Sequence, residues 1–388
     1  MEKPKIRFGK FNNKWKKNKL DKVVDFFDNQ RIPIDSGERK AGPYPYYGAS
    51  GIIDYVDGYI FNGEYVLLAE DGANIILRSS PIAYLSKGKF WLNNHAHIMK
   101  MKTGSNEFLI QLLEKQNYEK YNTGTAQPKL NGDVVKNITL HFPSDEEQSA
   151  IGSLFRTLDD LLASYKDNLA NYQSLKATML SKMFPKTGQT VPEIRLDGFE
   201  DEWELLEIND LADDFQSGGT PKTNVQEYWD GDIPWIQSSD LETNCLFEIK
   251  VQKSISEKGL KNSSAKIIPK DSIAVVTRVG VGKLAVMRHE YATSQDFLSL
   301  SNLKSNIEFT AYLLYRLLQK EVTQLQGTSI KGITKVELLS KKVLIPSLPE
   351  QQAIGAYFSN LDQLITSYQE KITQLETLKK KLLQDMFI

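Results

Sequence analysis

Glu147–Phe184 reads EQSAIGSLFRTLDDLLASYKDNLANYQSLKATMLSKMF, and Glu350–Phe387 reads EQQAIGAYFSNLDQLITSYQEKITQLETLKKKLLQDMF. At a constant offset of 203, 16 of the 38 positions are identical, among them Glu147/Glu350, Gln148/Gln351, Gly152/Gly355, Phe155/Phe358, Asp159/Asp362, Tyr165/Tyr368 and Phe184/Phe387. Both segments carry an apolar residue every seventh position: Ile151, Leu158, Tyr165, Tyr172 and Met179, then Ile354, Leu361, Tyr368, Leu375 and Leu382. Leu154, Leu161 and Leu175, with Tyr357, Leu364 and Leu378, supply a second seam position three residues later. A heptad pattern held over this length predicts two long coiled-coil helices. Phe155, Leu162, Leu169, Phe358, Ile365 and Ile372 widen the stripe, so each helix is expected to touch more than its partner. The seam expectation rests on Ile151, Leu158, Tyr165, Leu175, Ile354, Leu361, Tyr368 and Leu378.

The repeat extends outward. Gly124-Thr125 matches Gly327-Thr328, and Pro143 matches Pro346, at the same offset. Pro4, Ile6, Arg7, Phe11 and Trp15 match Pro192, Ile194, Arg195, Phe199 and Trp203 at an offset of 188. Similar borders thus enclose a middle of different length and content. The chain divides into a first domain at 1–142, a central helix and linker at 143–191, a second domain at 192–346 and a C-terminal helix at 347–388. The alternative is that each helix packs only on its own domain. Two near-identical stripes bury one another most simply as an antiparallel pair about a pseudo-twofold axis, with the domains at opposite ends of a rod of ~57 Å. The middles, rich in Tyr, Gly and Asn, read as short strands joined by turns. Tyr65–Ala69 and Ile75–Leu77 are expected as strands, Glu107–Tyr118 and Phe309–Gln326 as helices. The fold class is α+β, with two tandem mixed α/β domains and two long antiparallel helices.

The chain has 388 residues, 48 basic and 49 acidic, and one cysteine, Cys245. An intramolecular disulfide is excluded, which suits a reducing compartment such as cytoplasm. No apolar run approaches membrane-spanning length. Near-neutrality alone argues against a nucleic-acid binder, but the charge is uneven. Residues 1–142 hold 21 basic and 15 acidic residues, whereas 193–214 hold ten acids and one base. Both middles are mildly basic, as a DNA-contacting surface or an ordinary soluble domain would be.

Catalytic constellations are scarce. Val279-Gly280-Val281-Gly282-Lys283 lacks the spacer and the Ser/Thr of a phosphate-binding loop, so a glycine hairpin is the better reading. His95 and His97 stand near Glu70-Asp71, but a metal site needs three or four converging ligands. His141 and His289 fall in strand-like contexts. No nucleophile motif and no Asn/Asp-Pro-Pro-aromatic tetrapeptide occurs.

The repeated E-Q-x-A-I-G-x-x-F-x-x-L-D-x-L openings at Glu147 and Glu350, the Gly124 and Gly327 stretches, SGGTPKT with WDGDIPWI, and PEIRLDGFEDEW at Pro192 resemble the DNA specificity subunit of Type I restriction-modification systems. The resemblance covers essentially the full chain. It implies two target-recognition domains, each reading one half of a bipartite asymmetric DNA site, with the helices setting the spacer and docking modification subunits. It implies no catalysis and no cofactor in this chain. S-adenosylmethionine would belong to the modification subunits, two of them on a pseudo-symmetric frame, and ATP and Mg to the restriction subunits. The rival reading is a non-catalytic coiled-coil scaffold with two small protein- or glycan-binding domains.

Candidate DNA contacts lie in the polar, Gly-rich stretches of the middles. In the first they are Tyr44, Tyr46, Tyr47, Ser50, Asn74, Arg78, Asn93, Asn94, His95 and Lys129. In the second they are Ser217, Thr220, Lys222, Thr223, Gln237, Ser238, Arg278, Lys283 and Gln295. Arg, Asn and Gln can pair with base edges in two-pronged fashion, while Lys, Ser and Thr more often hold phosphates.

Overall fold

A computed structural model describes residues 3–324 and 332–388. Gly327, Thr328 and the last two residues of the expected 309–326 helix lie outside the described residues. The chain forms two compact units: Met1–Asp167 with Glu370–Ile388, and Asn168–Gln369. The division falls within the two long helices, so each unit takes a segment of both.

The first unit contains β1 (Lys16–Lys19), α1 (Leu20–Val23), β2 (Val24–Phe26), β3 (Ala41–Gly48), β4 (Gly51–Val56), β5 (Phe61–Ala69), α2 (Asn74–Leu77), β6 (Ala83–Leu92), β7 (Ala96–Met101), α3 (Asn106–Glu114), α4 (Gly132–Asn137) and β8 (Thr139–Phe142), then the start of α5 (Asp145–Lys182). A six-stranded sheet runs β2-β7-β5-β6-β3-β4, and β1 pairs with β8 apart from it. Strand alternation sorts its core. Val66 and Leu68 join Met99, Phe108 and Leu112 on the α3 side, while Leu67 joins Phe61, Phe90 and Ile98 on the other. The Ser105 hydroxyl caps α3 by accepting from the Phe108 N–H at 3.2 Å.

The second unit contains β9 (Glu204–Glu207), β10 (Ala212–Ser217), β11 (Trp229–Ile236), β12 (Lys253–Ile255), α6 (Glu257–Lys261), β13 (Ser272–Val276), β14 (Leu284–Met287), β15 (Ala292–Thr293), β16 (Phe297–Leu303), α7 (Ile307–Gln324), α8 (Lys335–Leu339) and β17 (Lys342–Ile345), then the start of α9 (Leu348–Asp385). Its sheets run β10-β16-β13-β14 and β12-β11-β15, with β9 on β17. The order matches the first unit, except that β14 and β15 stand where the first has the unbroken β6. In both, one strand of the middle pairs in parallel with this element: Tyr46 opposite Trp91, and Trp235 opposite Ala292.

The shared frame repeats at the level of single contacts. Buried Glu147 accepts from Arg7 at 2.6 and 2.7 Å, and buried Glu350 accepts from Arg195 at 2.8 and 2.7 Å. These hydrogen bonds raise both guanidinium pKa values against the opposing effect of burial. Trp15, Phe108, Phe155 and Phe387 form one aromatic cluster, and Trp203, Phe309, Phe358 and Phe184 form its counterpart. A Cβ on Gly152 would meet the Phe108 nitrogen at 2.9 Å, and one on Gly355 the Phe309 nitrogen at 3.0 Å. Close approach of helix to helix thus demands glycine at both places.

The helices α5 and α9 span 38 residues each and pack antiparallel within each unit. Lys379 pairs with Asp159 and Lys166 with Glu376 in the first, and Lys176 with Asp362 and Tyr172 with Tyr368 in the second. Ile151, Leu158, Ile354 and Leu361 are buried, and Tyr165 and Tyr368 half-buried. Leu175 and Leu378 are corrected: with Leu161 and Leu364 they are 37–44 % exposed. The second seam position is the one four residues after the first series, occupied by Phe155, Leu162, Phe358 and Ile372. Beside Leu175 and Leu378 that position is held by Lys176 and Lys379, whose pairs with Asp362 and Asp159 occupy the seam and leave the two leucines toward solvent.

Three local expectations also change. Ile75–Leu77 falls in the helical turn α2, with Ile75 buried, Ile76 half-buried against the same core and Leu77 exposed. The helix expected at 107–118 ends at Glu114, and Tyr118 instead donates to the Leu113 carbonyl at 3.0 Å. His289 lies in a bend after β14 rather than in a strand. No helix among the described residues is long and apolar enough to cross a membrane.

Candidate nucleic-acid interface

Three backbone hydrogen bonds build the same junction in both units. Where β5 ends, Glu70 donates to the His95 carbonyl at 2.9 Å and accepts from Leu130 at 2.7 Å. Where β13 ends, Thr277 donates to the Asp296 carbonyl at 2.7 Å and accepts from Ile333 at 2.7 Å. Asn93 donates to the Tyr47 carbonyl at 3.1 Å, and Ser294 to the Ile236 carbonyl at 3.0 Å. These bonds make Asp71 the counterpart of Arg278, Asn94 of Gln295, and His95 of Asp296.

In the first unit the junction is acidic and braced. His95 Nδ1 lies 2.8 Å from the Asp71 carboxylate, and buried Asn93 accepts from the His95 N–H at 2.9 Å. Arg31 donates to Glu70 at 2.6 Å and to the Ala96 carbonyl at 2.8 Å, while Lys129 Nζ is 3.4 Å from Glu70. Asn94 and Lys129 remain exposed above this network. Buried His97 sits between Asp28 at 2.7 Å and the Leu130 carbonyl at 2.8 Å. Burial works to raise the Asp28 pKa, but bonds from His97 and the Ile98 N–H, with the charges of His97 and Arg31, leave it lowered. His95 and His97 address different partners and do not converge. Among the described residues no group of three or more His, Cys, Asp and Glu side chains could hold a metal.

In the second unit the junction presents amide, hydroxyl and cation. The Thr220 hydroxyl donates to Gln295 at 2.5 Å, and Lys283 donates to the Ser238 carbonyl at 3.2 Å. Arg278 is exposed at the turn after β13, with no hydrogen bond or ion pair among the described residues. The Gln237 N–H donates to Asp240 at 3.1 Å, starting the turn that positions Ser238. Ser217, Lys222 and Thr223 are exposed, and the Lys222 carbonyl accepts from Trp229 at 3.2 Å. A Cβ on Gly218 would collide with Thr293, which ties the Ser217–Thr223 loop to the junction.

The other candidates scatter. Tyr46 is 1 % exposed, and its hydroxyl accepts from the Ile34 N–H at 2.9 Å. It is therefore a core residue and not a surface contact. Asn93 is likewise buried as a brace. Arg78 donates to the Glu114 carboxylate at 2.7 Å and its carbonyl at 2.6 Å, and Asn74 accepts from Ser79 and Ser80 at 3.0 and 3.1 Å. Both hold local structure. Tyr44 rests on Tyr59 and Tyr47 on Tyr84, both half-buried, with Ser50 exposed in the β3–β4 turn. Arg31, Asp71 and Asp296 were not singled out as contacts. Asp71 stands in the noted Glu70-Asp71 pair, but Arg31 carries no local signal, because its partners lie 39 and 65 residues away.

The family described as Type I restriction modification DNA specificity domain matches residues 12–171 and 200–377. The chain belongs to this family and carries two copies of its domain. It is 29 % identical over 194 residues to the type I restriction enzyme MjaIX specificity subunit of Methanocaldococcus jannaschii, covering 48 % of this chain and 44 % of that one. The MjaVIII specificity subunit of the same organism is 22 % identical over 396 residues, covering 95 % and 91 %. The crystal structure of a Type-I restriction-modification S subunit from M. genitalium shares the fold over 100 % of this chain and 99 % of that one, with a TM-score of 0.70 and 16 % identity. The chain is thus a specificity subunit with two target-recognition domains, a non-catalytic component of its system.

Proposed function

We propose that each unit reads one half of a bipartite, asymmetric site in double-stranded DNA through its junction. The supporting observation is that one backbone arrangement carries Asp71, Asn94 and His95 in the first unit and Arg278, Gln295 and Asp296 in the second. Arginine suits guanine, and the carboxamides of Asn94 and Gln295 suit adenine, in the major groove. Different side chains on one frame give different half-sites. The length of α5 and α9 sets the spacer. Leu161 and Leu378 in the first unit, and Leu175 and Leu364 in the second, form the apolar faces on which two modification subunits dock. Restriction subunits complete the assembly. S-adenosylmethionine acts in the modification subunits, ATP and Mg in the restriction subunits, and the complex works in the cytoplasm.

The test is to map methylated bases in DNA modified by the assembled complex, before and after residues 1–142 are exchanged for another such domain. One half-site changes and the spacer stays. A change at both half-sites, or none, defeats the reading. A coiled-coil scaffold for protein or glycan would show no DNA affinity that falls steeply with salt.

A further inference from the structure

Residues 3–22 and 191–210 are one piece of structure made twice. Each carries a half-buried arginine paired with a buried glutamate, Arg7 to Glu147 and Arg195 to Glu350, and each carries a buried tryptophan, Trp15 and Trp203. Each continues into a strand of an antiparallel pair, β1 on β8 and β9 on β17. Their surfaces are opposite in charge. At the 188-residue offset, Lys5, Lys14, Lys16, Lys19 and Lys22 correspond to Glu193, Glu202, Glu204, Glu207 and Asp210. The first segment holds nine basic residues and one acid, the second eight acids and one base. All ten exchanged side chains are exposed; in the second segment Glu193 pairs with Lys182 and Lys186 at 2.8 Å, and Asp210 accepts from the Glu207 N–H at 2.9 Å.

Lys5 lies 3.4 Å from Asp385 and Lys22 3.5 Å from Asp21, but the lysines around β1 have no carboxylate partner among the described residues. The side chains of Lys14, Lys16 and Lys17 make no ion pair or hydrogen bond among the described residues, and the Lys19 ammonium donates only to Asn137 at 2.8 Å. Lys102 lies beside the segment, its ammonium 3.1 and 3.3 Å from the Asp21 and Lys22 carbonyls and 3.9 Å from the Asp25 carboxylate. Such a surface differs from a protein-binding one, which concentrates aromatic and arginine side chains and is depleted in lysine. Lysines are compact charges that hold phosphates without demanding a particular base. In the second segment Leu205 stands where the first has Lys17, between Glu204 and Leu206, and a phosphate backbone would be repelled there.

We propose that Lys14, Lys16, Lys17 and Lys19 form a phosphate-binding strip on the first unit, which grips duplex DNA independently of sequence and has no counterpart on the second. This rests on the reading of the chain as a DNA binder and adds a one-sided anchor outside the base-reading junctions.

The test compares the full chain with K14E/K16E/K19E, which installs the residues that the second unit carries at those positions, and with the reciprocal E202K/E204K/E207K. Each is titrated with two 40-base-pair duplexes of unrelated sequence over a range of salt concentrations. Because each phosphate contact contributes close to one to the salt slope, the first variant loses about 2–3 from it. It also binds both duplexes roughly tenfold more weakly at about 0.1 M salt. The reciprocal variant gains slope. Parent-like thermal unfolding confirms that the frame is intact. A slope equal to the parent's, as expected if the lysines meet an acidic protein surface instead, overturns the strip, as does a loss confined to one duplex. A parent chain without salt-dependent binding overturns the DNA reading itself, a result distinct from either.

Discussion

At the end of β5 the first unit places Asp71, held by His95. At the end of β13 the second places Arg278, with no partner among the described residues. The backbone around the two positions is hydrogen-bonded alike. The frame beneath them is conserved between the units to the level of single side chains, from the Arg7–Glu147 and Arg195–Glu350 pairs to the four-ring clusters. The contrast separates two tasks. Buried contacts fix where the junction stands, and the exposed residues on it are then at liberty to differ in charge, length and hydrogen-bonding sense without cost to the fold.

The strongest way to break this comparison is through the frame. Phe387→Ala should destabilise the first unit by about 3–5 kcal/mol, and Phe184→Ala the second by a similar amount. Hydrogen exchange would resolve which unit loosens, and loosening of both by either substitution would refute the pairing of clusters. Glu147→Ala and Glu350→Ala should each leave a half-buried arginine without its carboxylate, at about 1.5–3 kcal/mol, again unit by unit. At the junctions the expected effects are smaller. Arg278→Ala and Gln295→Ala should each relax one half-site by about 1–3 kcal/mol of discrimination, and Asn94→Ala the other. Methylation mapping with mutated sites reads this directly, and equal loss at both half-sites would count against the assignment.

Acid sharpens the comparison further. The folded pKa of Asp28 is depressed, so the stability it lends is present above the ordinary carboxylate range and is lost as pH falls through the lower folded value. The hydrogen-bonded core of the first unit should therefore loosen at acid pH by a step that Asp28→Asn removes, monitored by amide exchange of Ile98. The smallest effect on folding belongs to the exposed leucines. Leu161→Ser and Leu378→Ser should change stability by less than about 0.5 kcal/mol each, yet weaken modification-subunit binding as measured by co-purification.

The frame was legible because it is repeated. Two copies of a heptad stripe, the Arg7/Arg195 and Trp15/Trp203 matches, and the paired glycines mark most of the frame in sequence, while Phe108 and Phe309, 201 residues apart, fall outside both offsets. The seam assignment went astray at Leu175 and Leu378, since a stripe wide enough for two neighbours does not say which edge meets the helix and which the solvent. The junctions were legible only in part. Asn94, His95, Arg278 and Gln295 stood out as polar residues in loops, but their equivalence depends on strand pairings between distant segments. Tyr46 and Arg78 misled for the same reason: Ile34 and Glu114, which occupy them, are 12 and 36 residues away.

The first unit is assembled from two separated stretches of chain, and its aromatic cluster includes Phe387. The second unit is a single continuous stretch, Asn168–Gln369. During synthesis the ordinary order of folding is therefore reversed. The half made first waits, with Trp15 and Phe108 lacking their last neighbour, while more than two hundred further residues are added. At ~5–20 residues per second that wait lasts tens of seconds. A chain that stops short of Met386 and Phe387 therefore carries a complete second unit and an unfinished first. Closure of the first unit therefore waits on Met386 and Phe387, which are made more than two hundred residues after the sheet they seal.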